Sequence, residues 1–432
     1  MSDYMFMLES HLTAGQNHVV AEVQKAAAVA QVQVFLTGGA MRDMLGAFPI
    51  RDLDFTVEGN GLKVAKAVAE NAKATIVSQD ETRKLAELAF PGGETAQIAM
   101  SRQEKYTRTG AKPQVSPASI QEDLRGRDFS INAIALSLNR ASQGLLLDPT
   151  NGLADLHNRE LRALSNYGFY NDPSRMLRLV RFRVRLGFTV EERTQQQFEN
   201  AKQAEVHKMI PPRALLEELH ATANEPNPSE VLRALEQEGL LSLFSPALAG
   251  AKVNWAALAK LDKASRLLDG VIPVDRFAPF LLVLTEKLSP KEKAALIAAT
   301  RMDKADVDAW QKLEARTRKL EQTLKSEQLK KPSSVYQALS RAQPQEVLYL
   351  LYHSPHRAVH DRIKNYLQKY LPAAQEITAA DLASIEGTPG TPKYEKAKEA
   401  FVAKHLDRRP KKVEPPPPPP PEPPPRPRGR SL

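Results

Sequence analysis

The acid pair Asp52 and Asp54 has the strongest chemical potential in this sequence. The two acids alternate with the apolar residues Leu53 and Phe55. Because side chains alternate between the faces of a strand, this spacing puts both carboxylates on one face and both apolar side chains in a core. Carboxylates paired in this way can hold two divalent ions for phosphoryl transfer. An exposed edge strand with two solvated acids is the alternative explanation.

A glycine pair, Gly38 and Gly39, precedes the acids and directly follows the apolar run Val32–Leu36 and Thr37. Glycines at the end of a strand let the backbone come close to a phosphate. The combination of a glycine pair with a downstream acid pair favours a phosphate and metal site over an exposed edge strand.

A second polar motif reads RDFSINA and begins at Arg127. Its acid Asp128 and its amide Asn132 are four residues apart, so they could meet on one face of a helix. An acid and an amide in this arrangement could hold a ribose hydroxyl, with Arg127 on a phosphate. A simple capped helix start would explain the same residues.

A third motif, rich in arginine, lies between Asp172 and Gly187. We expect a helix that Asp172 caps, that has Pro173 at its first position and that ends at Gly187. The apolar residues expected to form its buried stripe are Leu177, Val180 and Val184. The arginines expected on its other side are Arg175, Arg178, Arg181 and Arg185. Without interleaved acids these arginines repel one another unless a polyanion neutralises them, although a solvated basic face is the alternative.

The composition limits the class of protein. With 432 residues the chain has room for about two to four domains, and it contains no cysteine for disulfides or thiolate metal sites, which fits a cytoplasmic location. We expect no signal peptide, because acids interrupt the first apolar run, and no membrane span. The net charge of +9 suits a polyanionic partner, or reflects a basic tail on a near-neutral body.

The pattern of elements predicts an α+β fold. Short β-type runs alternate with helical ones as far as residue 165, and the pattern from about residue 170 onward is helical. We expect a mixed β-sheet with helices over residues 1–165, an all-α neck over 166–225, an all-α body and tail over 226–407, and a disordered proline-rich segment over 408–432. The expected strands are Val32–Leu36, Leu53–Val57, Thr75–Val77, Ala86–Phe90 and Thr95–Met100.

The motif GGAMRD followed by DLDF, at residues 38–55, resembles the signature of the nucleotidyltransferase superfamily. It is most similar to the class II bacterial tRNA nucleotidyltransferases and poly(A) polymerases. RDFSINA and the segment 172–188 resemble two further motifs of that family. The resemblance implies a catalytic nucleotidyltransferase head at 1–165, a base-recognition helix in the neck, and an RNA-binding body and tail.

The resemblance also implies a role for each site residue. Asp52 and Asp54 would be the catalytic acids and would hold two Mg²⁺ ions. The residues expected at phosphate and sugar are Gly38, Gly39, Arg42 with its support Asp43, Arg127, Asp128, Asn132, Arg178 and Arg181. Asp172 and Arg175 would read the base of the incoming nucleotide.

The expected substrates follow from how Asp172 and Arg175 could read a base. Cytosine and adenine each present an exocyclic amine next to a ring nitrogen acceptor. A carboxylate accepts from the amine, and a guanidinium donates to the ring nitrogen. Uracil and guanine reverse this polarity and would leave buried groups unpaired. CTP and ATP are therefore the expected nucleotides.

The function implied by the resemblance is the addition of CCA to the 3′ end of tRNA by two-metal phosphoryl transfer. Poly(A) polymerase is the alternative within the family. A non-catalytic RNA-binding paralogue is a second alternative, because two positions depart from the family pattern. Gln97 stands where a third acid is usual, and Asn171 stands where a glutamate is usual.

Overall fold

The structure is a computed structural model that describes residues 3–382, 385, 388 and 390–408. The predicted proline-rich segment 408–432 lies outside these residues except for Arg408. The described residues form two compact units. The first comprises the residues up to Asp262 together with Val283–Lys304, and the second comprises Lys263–Leu282 together with the residues from Ala305 onward. The predicted domain boundaries at 165 and 225 stay predictions.

The strands of the described residues lie in the first part of the chain. They are β1 (Gln33–Thr37), β2 (Leu53–Glu58), β3 (Thr75–Asp80), β4 (Leu85–Ala89), β5 (Thr95–Met100), β6 (Arg102–Lys105), β7 (Gln114–Pro117), β8 (Ala135–Ser137), β9 (Leu146–Leu147), β10 (Glu160–Leu161) and β11 (Thr189–Val190). The five predicted strands are confirmed as β1 to β5, with small shifts at their ends. The expectation that no strand follows residue 170 is wrong, because β11 pairs with β10 in a short parallel ladder.

The helices extend along both units. They are α1 (Asp3–His11), α2 (Ala14–Val29), α3 (Gly38–Leu45), α4 (Gly61–Ala72), α5 (Ile120–Gly126), α6 (Gly152–Asn158), α7 (Gly168–Asn171), α8 (Ser174–Leu186), α9 (Glu192–Gln203), α10 (Pro212–Ala223), α11 (Pro228–Gln237), α12 (Trp255–Arg266), α13 (Phe277–Leu284), α14 (Pro290–Thr300), α15 (Lys304–Gln311), α16 (Leu313–Lys325), α17 (Pro332–Ser340), α18 (Pro344–His353), α19 (Arg357–Asn365), α20 (Leu371–Gln375), α21 (Ala379–Leu382) and α22 (Pro392–Leu406). In the described part of the chain, none of them combines the length and the apolar character that crossing a membrane requires.

The central sheet of the first unit has the strand order β3-β4-β5-β2-β1-β8-β9. Strands β2 and β5 run parallel, and every other neighbouring pair is antiparallel, so the sheet is mixed as predicted. Helix α4 follows β2 and packs on β4 and β5 and against α2. Its valines Val64 and Val68 are buried one turn apart, as are Val19 and Val23 of α2. This apolar spacing lets both helices pack on the sheet.

A tight connection joins β1 to α3. Gly38 has a φ of +62°, in the left-handed region that favours glycine, and the helix begins at this residue. Helix α3 buries Ala40, Met41 and Met44 in the core. The packing of these side chains holds the first turn of α3 beside the N-terminal end of β2.

Helices α8, α10 and α11 pack on one another beyond the sheet. Phe182 of α8 packs edge-on against Phe129, with ring centroids 6.0 Å apart. Helix α8 ends at Gly187, which has a φ of +64°, as the sequence predicts. Helix α8 therefore contacts the segment that carries the RDFSINA motif.

The second unit is helical within its described residues. Helix α16 packs against α18 and α19, and α17 packs against α22. Ser333 of α17 donates its backbone N–H to Asp407 at 3.0 Å, which ties the two ends of the α17–α22 pair together. The predicted α+β head followed by a largely helical remainder is confirmed.

Candidate active site

Asp54 occupies β2 next to the first turn of α3. The backbone N–H of Gly39 donates to Asp54 Oδ2 at 3.0 Å. Burial, and then the negative charge of Asp52, raise the pKa of Asp54 from its ordinary value of 3.8 to about 6. The raised pKa means that the carboxylate carries a negative charge that its surroundings compensate only in part.

Asp52 lies immediately before β2 and is exposed, so the prediction that both acids lie within the strand is wrong for this residue. Thr95, the first residue of β5, donates its hydroxyl to Asp52 Oδ1 at 3.0 Å. Asp52 and Asp54 are nevertheless close enough for one charge to shift the pKa of the other group. The acid pair is thus formed at the end of two neighbouring parallel strands.

Gly38 leaves open the space between Asp54 and Arg127. A Cβ atom at residue 38 would lie 3.0 Å from Asp54 Oδ2 and 3.2 Å from Arg127 Nη1. A Cβ atom at Gly39 would lie 3.3 Å from the same Asp54 oxygen. Side chains at these two positions would therefore crowd the acid, which gives the glycine pair a physical reason.

Arg127 is held at this edge by three hydrogen bonds. Its Nε donates to Asp123 Oδ1 at 3.0 Å, its Nη1 donates to the carbonyl of Asn132 at 3.2 Å, and its Nη2 donates to Thr56 Oγ1 at 3.1 Å. Thr56 lies on β2, two residues after Asp54. Arg127 is therefore fixed beside the acid pair, as its predicted contact with a phosphate would require.

Asp128 and Asn132 meet, as their spacing predicts. Asn132 Nδ2 donates to Asp128 Oδ1 at 3.0 Å. The turn that brings them together is the 3-10 helix Ser130–Asn132 rather than an α-helix. Burial by itself would raise the pKa of Asp128, but the positive charges of Arg178 and Arg175 lower it to about 2. Asp128 therefore stays ionised in the folded protein.

Arg42 lies under the first turn of α3 and is buried. Its Nε donates to Asp43 Oδ1 at 2.8 Å, and its Nη1 donates to Asn132 Oδ1 at 2.9 Å. The guanidinium carbon lies 5.0 Å from the ring centroid of Phe182. All of these contacts are with protein groups and none tests whether Arg42 binds a phosphate. That role of Arg42 therefore stays a prediction. Its support by Asp43 is present.

The expectation that the arginines of α8 need a polyanion to neutralise them is wrong, because acids from other elements pair with them. Glu218 of α10 binds both Arg178 and Arg181, through contacts of 3.0 and 3.1 Å. Arg178 also contacts Asp128 at 3.0 Å. Only 29% of the Arg178 side chain and 10% of the Arg181 side chain are exposed, so this face is packed rather than solvated. The predicted binding of phosphate by Arg178 and Arg181 stays a prediction.

The predicted base-reading pair lies at the start of α8. Arg175 Nε is 3.7 Å from Asp172 Oδ2. Asp172 Oδ1 accepts the backbone N–H of Ser174 at 3.1 Å, so it caps the helix, although the helix begins at Ser174 and not at Pro173. Arg175 donates its Nη atoms to the backbone carbonyls of residues 126 and 127. The structure brings Asp172 and Arg175 together and leaves their role in base reading a prediction.

A charged cluster around Glu104, beside Asp172 and Arg175, was not predicted from the sequence. Glu104 Oε1 accepts from Arg102 Nε at 2.8 Å and from Arg83 Nε at 3.0 Å, and Tyr106 donates its hydroxyl to Glu104 Oε2 at 2.8 Å. Burial opposes ionisation, but Arg102 and Arg83 lower the pKa of Glu104 to about 2. The alternation of Arg102, Glu104 and Tyr106 along one face of β6 and its end was the signal available in the sequence.

Comparison with known proteins identifies the head. Residues 34–162 match the family described as the poly A polymerase head domain. This part of the chain is therefore similar to the head domain of poly(A) polymerases. The resemblance seen in GGAMRD and DLDF is thereby confirmed, and the matched range contains the predicted site residues from Gly38 to Asn132.

Two curated relatives extend the match. The chain is 27% identical over 405 residues to an A-adding tRNA nucleotidyltransferase of Geobacter sulfurreducens, covering 91% of this chain and 45% of the relative. It is 34% identical over 240 residues to an A-adding tRNA nucleotidyltransferase of Halalkalibacterium halodurans, covering 54% of this chain and 56% of the relative. The chain thus spans about half the length of these relatives.

A solved structure supports the fold over almost the whole chain. The apo form II structure of a CCA-adding enzyme superposes with a TM-score of 0.55 at 24% identity, covering 94% of this chain and 95% of that one. The shared fold agrees with a head built on a mixed sheet and followed by helices.

Proposed function

We propose that this protein transfers CMP and AMP from CTP and ATP to the 3′ end of tRNA, with CCA addition as the complete reaction. The observation that carries the proposal is the pair Asp52 and Asp54 beside the first turn of α3, within a head domain of this family. The names of the two A-adding relatives point to tRNA as the acceptor. A cytoplasmic location remains part of the proposal.

The acid pair fits divalent cations. Two negative charges held close together, one of them with a raised pKa, are stabilised by a bound cation. Among the described residues, no hydrogen bond engages Asp54 Oδ1 or Asp52 Oδ2. No cluster of three or more His, Asp or Glu side chains suited to a metal ion occurs there either. Two carboxylates suffice for Mg²⁺, because this ion is commonly completed by water and substrate phosphates.

The cations proposed here are two Mg²⁺ ions held by Asp52 and Asp54. When bound, Mg²⁺ would supply Lewis-acid activation of the α-phosphate and of the attacking 3′-hydroxyl. Thr95 and Gly39 each fix one carboxylate oxygen by a hydrogen bond of 3.0 Å, which orients the acids before substrate arrives.

The remaining residues act by binding and orientation. The start of α3 at Gly38 offers the positive end of the helix dipole to the triphosphate, while the Gly39 N–H holds Asp54, and Arg127 offers a positive charge beside it. Arg42 supports this turn from below, through Asn132 and Asp43.

At the other end of the nucleotide, Asp172 and Arg175 would read the base. Asp128 would bind the sugar, held by Arg178 at 3.0 Å. Arg181 would act indirectly, because it binds Glu218 and Glu218 also binds Arg178. Residues 226–407 would bind tRNA, mainly through its backbone charge and shape.

A second candidate is the addition of the terminal A alone. The relatives reported above carry the name A-adding, and the match to one of them spans 91% of this chain. An A-adding enzyme would use the same acid pair and the same phosphate site. It would differ in the acceptor end that it extends.

The test is an assay with radiolabelled CTP or ATP and tRNA transcripts that end before, within or after CCA. CTP addition followed by one ATP addition that stops supports CCA addition. Extension by a single A, only on transcripts that end in CC, supports the second candidate. Long A-tails on any RNA indicate a poly(A) polymerase. No addition to any transcript would overturn the proposal and favour the RNA-binding alternative.

A further inference from the structure

A chain of ion pairs connects α3 with Glu225, which lies just after α10. Asp43 accepts from Arg42 through Oδ1 and from Arg185 through Oδ2, each at 2.8 Å. Arg185 Nε lies 3.6 Å from Glu225 Oε2. The side chains of Asp43 and Glu225 are each only 3% exposed. A buried path of alternating charge therefore runs from the helix under the phosphate site to Glu225.

A second path returns from Glu225 to Arg42. Glu225 Oε1 accepts from Arg181 Nη1 at 2.8 Å, and Arg181 and Arg178 share Glu218. Arg178 binds Asp128, which binds Asn132, and Asn132 accepts from Arg42. The two paths close a ring that joins α3, the 3-10 turn Ser130–Asn132, α8 and α10.

Glu225 also connects this ring to Arg51, the residue that precedes the acid pair. In addition to Arg181 and Arg185, its carboxylate lies 3.5 Å from Arg51 Nη1. Arg51 is the residue immediately before Asp52. One buried carboxylate thus contacts arginines from α8 and from the segment that leads into β2. Removing its charge would leave Arg181 with Glu218 alone and Arg185 with Asp43 alone, and would remove the carboxylate that holds these two arginines and Arg51 together.

We propose that Glu225 is a positioning residue that sets the base-reading helix α8 against the acid pair and the phosphate turn of α3. It acts through Arg51, Arg181 and Arg185, and no contact with nucleotide is assigned to it. This inference rests on the proposed function for the identity of the site that is positioned. Glu225 should also stabilise these segments in the free protein, which can be measured without any activity.

The test compares Glu225→Gln with the matched control Glu238→Gln. Glu238 also binds an arginine of α8, since it accepts from Arg183 Nη2 at 3.1 Å, but it lies outside the ring. At a temperature well below both melting points, we expect E225Q to lower kcat/KM about a hundredfold, mainly through kcat, because a small misplacement of reacting groups has an effect of this size. We expect E238Q to keep the activity of the wild type. Wild-type kcat in E225Q would overturn the inference.

Hydrogen exchange of the full chain without nucleotide gives a second readout. We expect E225Q to speed amide exchange in Gly38–Leu45 and in residues 51–54, whereas E238Q leaves both segments unchanged. Unchanged exchange there in E225Q would overturn the inference, whatever the activity. An inactive wild type would count against the proposed function alone. If E225Q does not fold, Arg185→Lys breaks the same path while keeping the charge, and the same exchange pattern is expected.

Discussion

Gln97 of β5 is the register partner of Asp54 on the parallel strand β2. The amide therefore stands beside the carboxylate whose pKa is raised to about 6. On its other side, Gln97 is the register partner of Glu87 on β4. Side chains of register partners lie on the same face of a sheet, so a neutral amide separates two acids in this row. Its neutrality limits the charge repulsion at a site that already holds Asp52 and Asp54.

This arrangement leads to a prediction for Gln97→Glu. We expect the variant to bind Mg²⁺ more tightly, because a third carboxylate adds negative charge beside Asp54. We also expect a lower melting temperature at neutral pH in the presence of EDTA, because like charges repel. Calorimetry across a Mg²⁺ titration measures both effects, since a ligand stabilises the folded state that binds it.

The control for this experiment is Gln79→Glu, which adds the same charge at an exposed position of β3. It should leave the Mg²⁺ dependence of the melting temperature as in the wild type. A loss of stability in Q97E that Mg²⁺ does not relieve would show that residue 97 lies outside the metal site.

The raised pKa of Asp54 predicts a pH-dependent gain of stability in Asp54→Asn. The pKa rises from 3.8 to about 6 on folding, so the folded wild type binds the proton more tightly than the unfolded chain does. The wild type therefore loses stability as the pH rises from about 4 to about 6, and the loss is complete above that range. In EDTA, D54N should melt above the wild type at pH 8, and the difference should vanish near pH 4.

Saturating Mg²⁺ provides the check on this explanation. The cation should stabilise the wild type at pH 8 and have little effect on D54N, which lacks one ligand. Equal melting temperatures of the two proteins at pH 8 in EDTA would contradict a raised pKa for Asp54.

The head domain could be predicted from the sequence because its signals are local. Alternating apolar residues marked β1 to β5, and the glycine pair marked the turn into α3. The contact between Asp128 and Asn132 also followed from their spacing, although a 3-10 turn makes it. The first two helices, α1 and α2, are separated by a short break. A capping box between Thr13 and Gln16 starts the second helix and was a visible signal of the break.

The partners of the α8 arginines could not be predicted in the same way. Glu218 and Glu225 follow α8 by a long stretch of sequence, and only packing of α10 on α8 brings them to Arg178 and Arg181. A run of arginines without nearby acids therefore suggested a surface for a polyanion. The pairing depends on tertiary contacts, which local charge patterns do not report. The same holds for Thr95, which meets Asp52 only because β5 lies beside β2.

The acid pair should control activity. We expect Asp52→Asn and Asp54→Asn each to reduce nucleotidyl transfer by on the order of a thousandfold or more, because each removes one ligand of the proposed cations. Thr95→Val, which removes the hydroxyl that orients Asp52, should lower the rate by about tenfold to a hundredfold. Single-turnover rates with saturating ATP and a tRNA acceptor measure the series. Near-normal rates in either acid variant would exclude the pair from the metal site.

The last prediction concerns the choice of base. The variant Asp172→Asn separates the effect of Asp172 on base choice from its effect on helix capping. The asparagine keeps a side-chain oxygen that can accept the Ser174 N–H, as Asp172 Oδ1 does at 3.1 Å. It replaces the other carboxylate oxygen by an amide donor, which accommodates the O4 of uracil and no longer accepts from the amine of cytosine. We therefore expect the ratio of CTP to UTP incorporation to fall, by about 1–3 kcal/mol of selectivity for one polar contact.

Asp172→Ala completes this comparison, because it removes both the cap and the acceptor. It should lose about 1 kcal/mol of stability, since a side chain no longer caps the first turn of α8. Its preference for CTP over UTP should also narrow, because the carboxylate that repels uracil O4 is gone. Values of kcat/KM for all four nucleotides, measured beside melting curves, separate the two roles. If D172A loses stability while both variants keep the wild-type ratio of CTP to UTP, Asp172 is a helix cap and does not read the base.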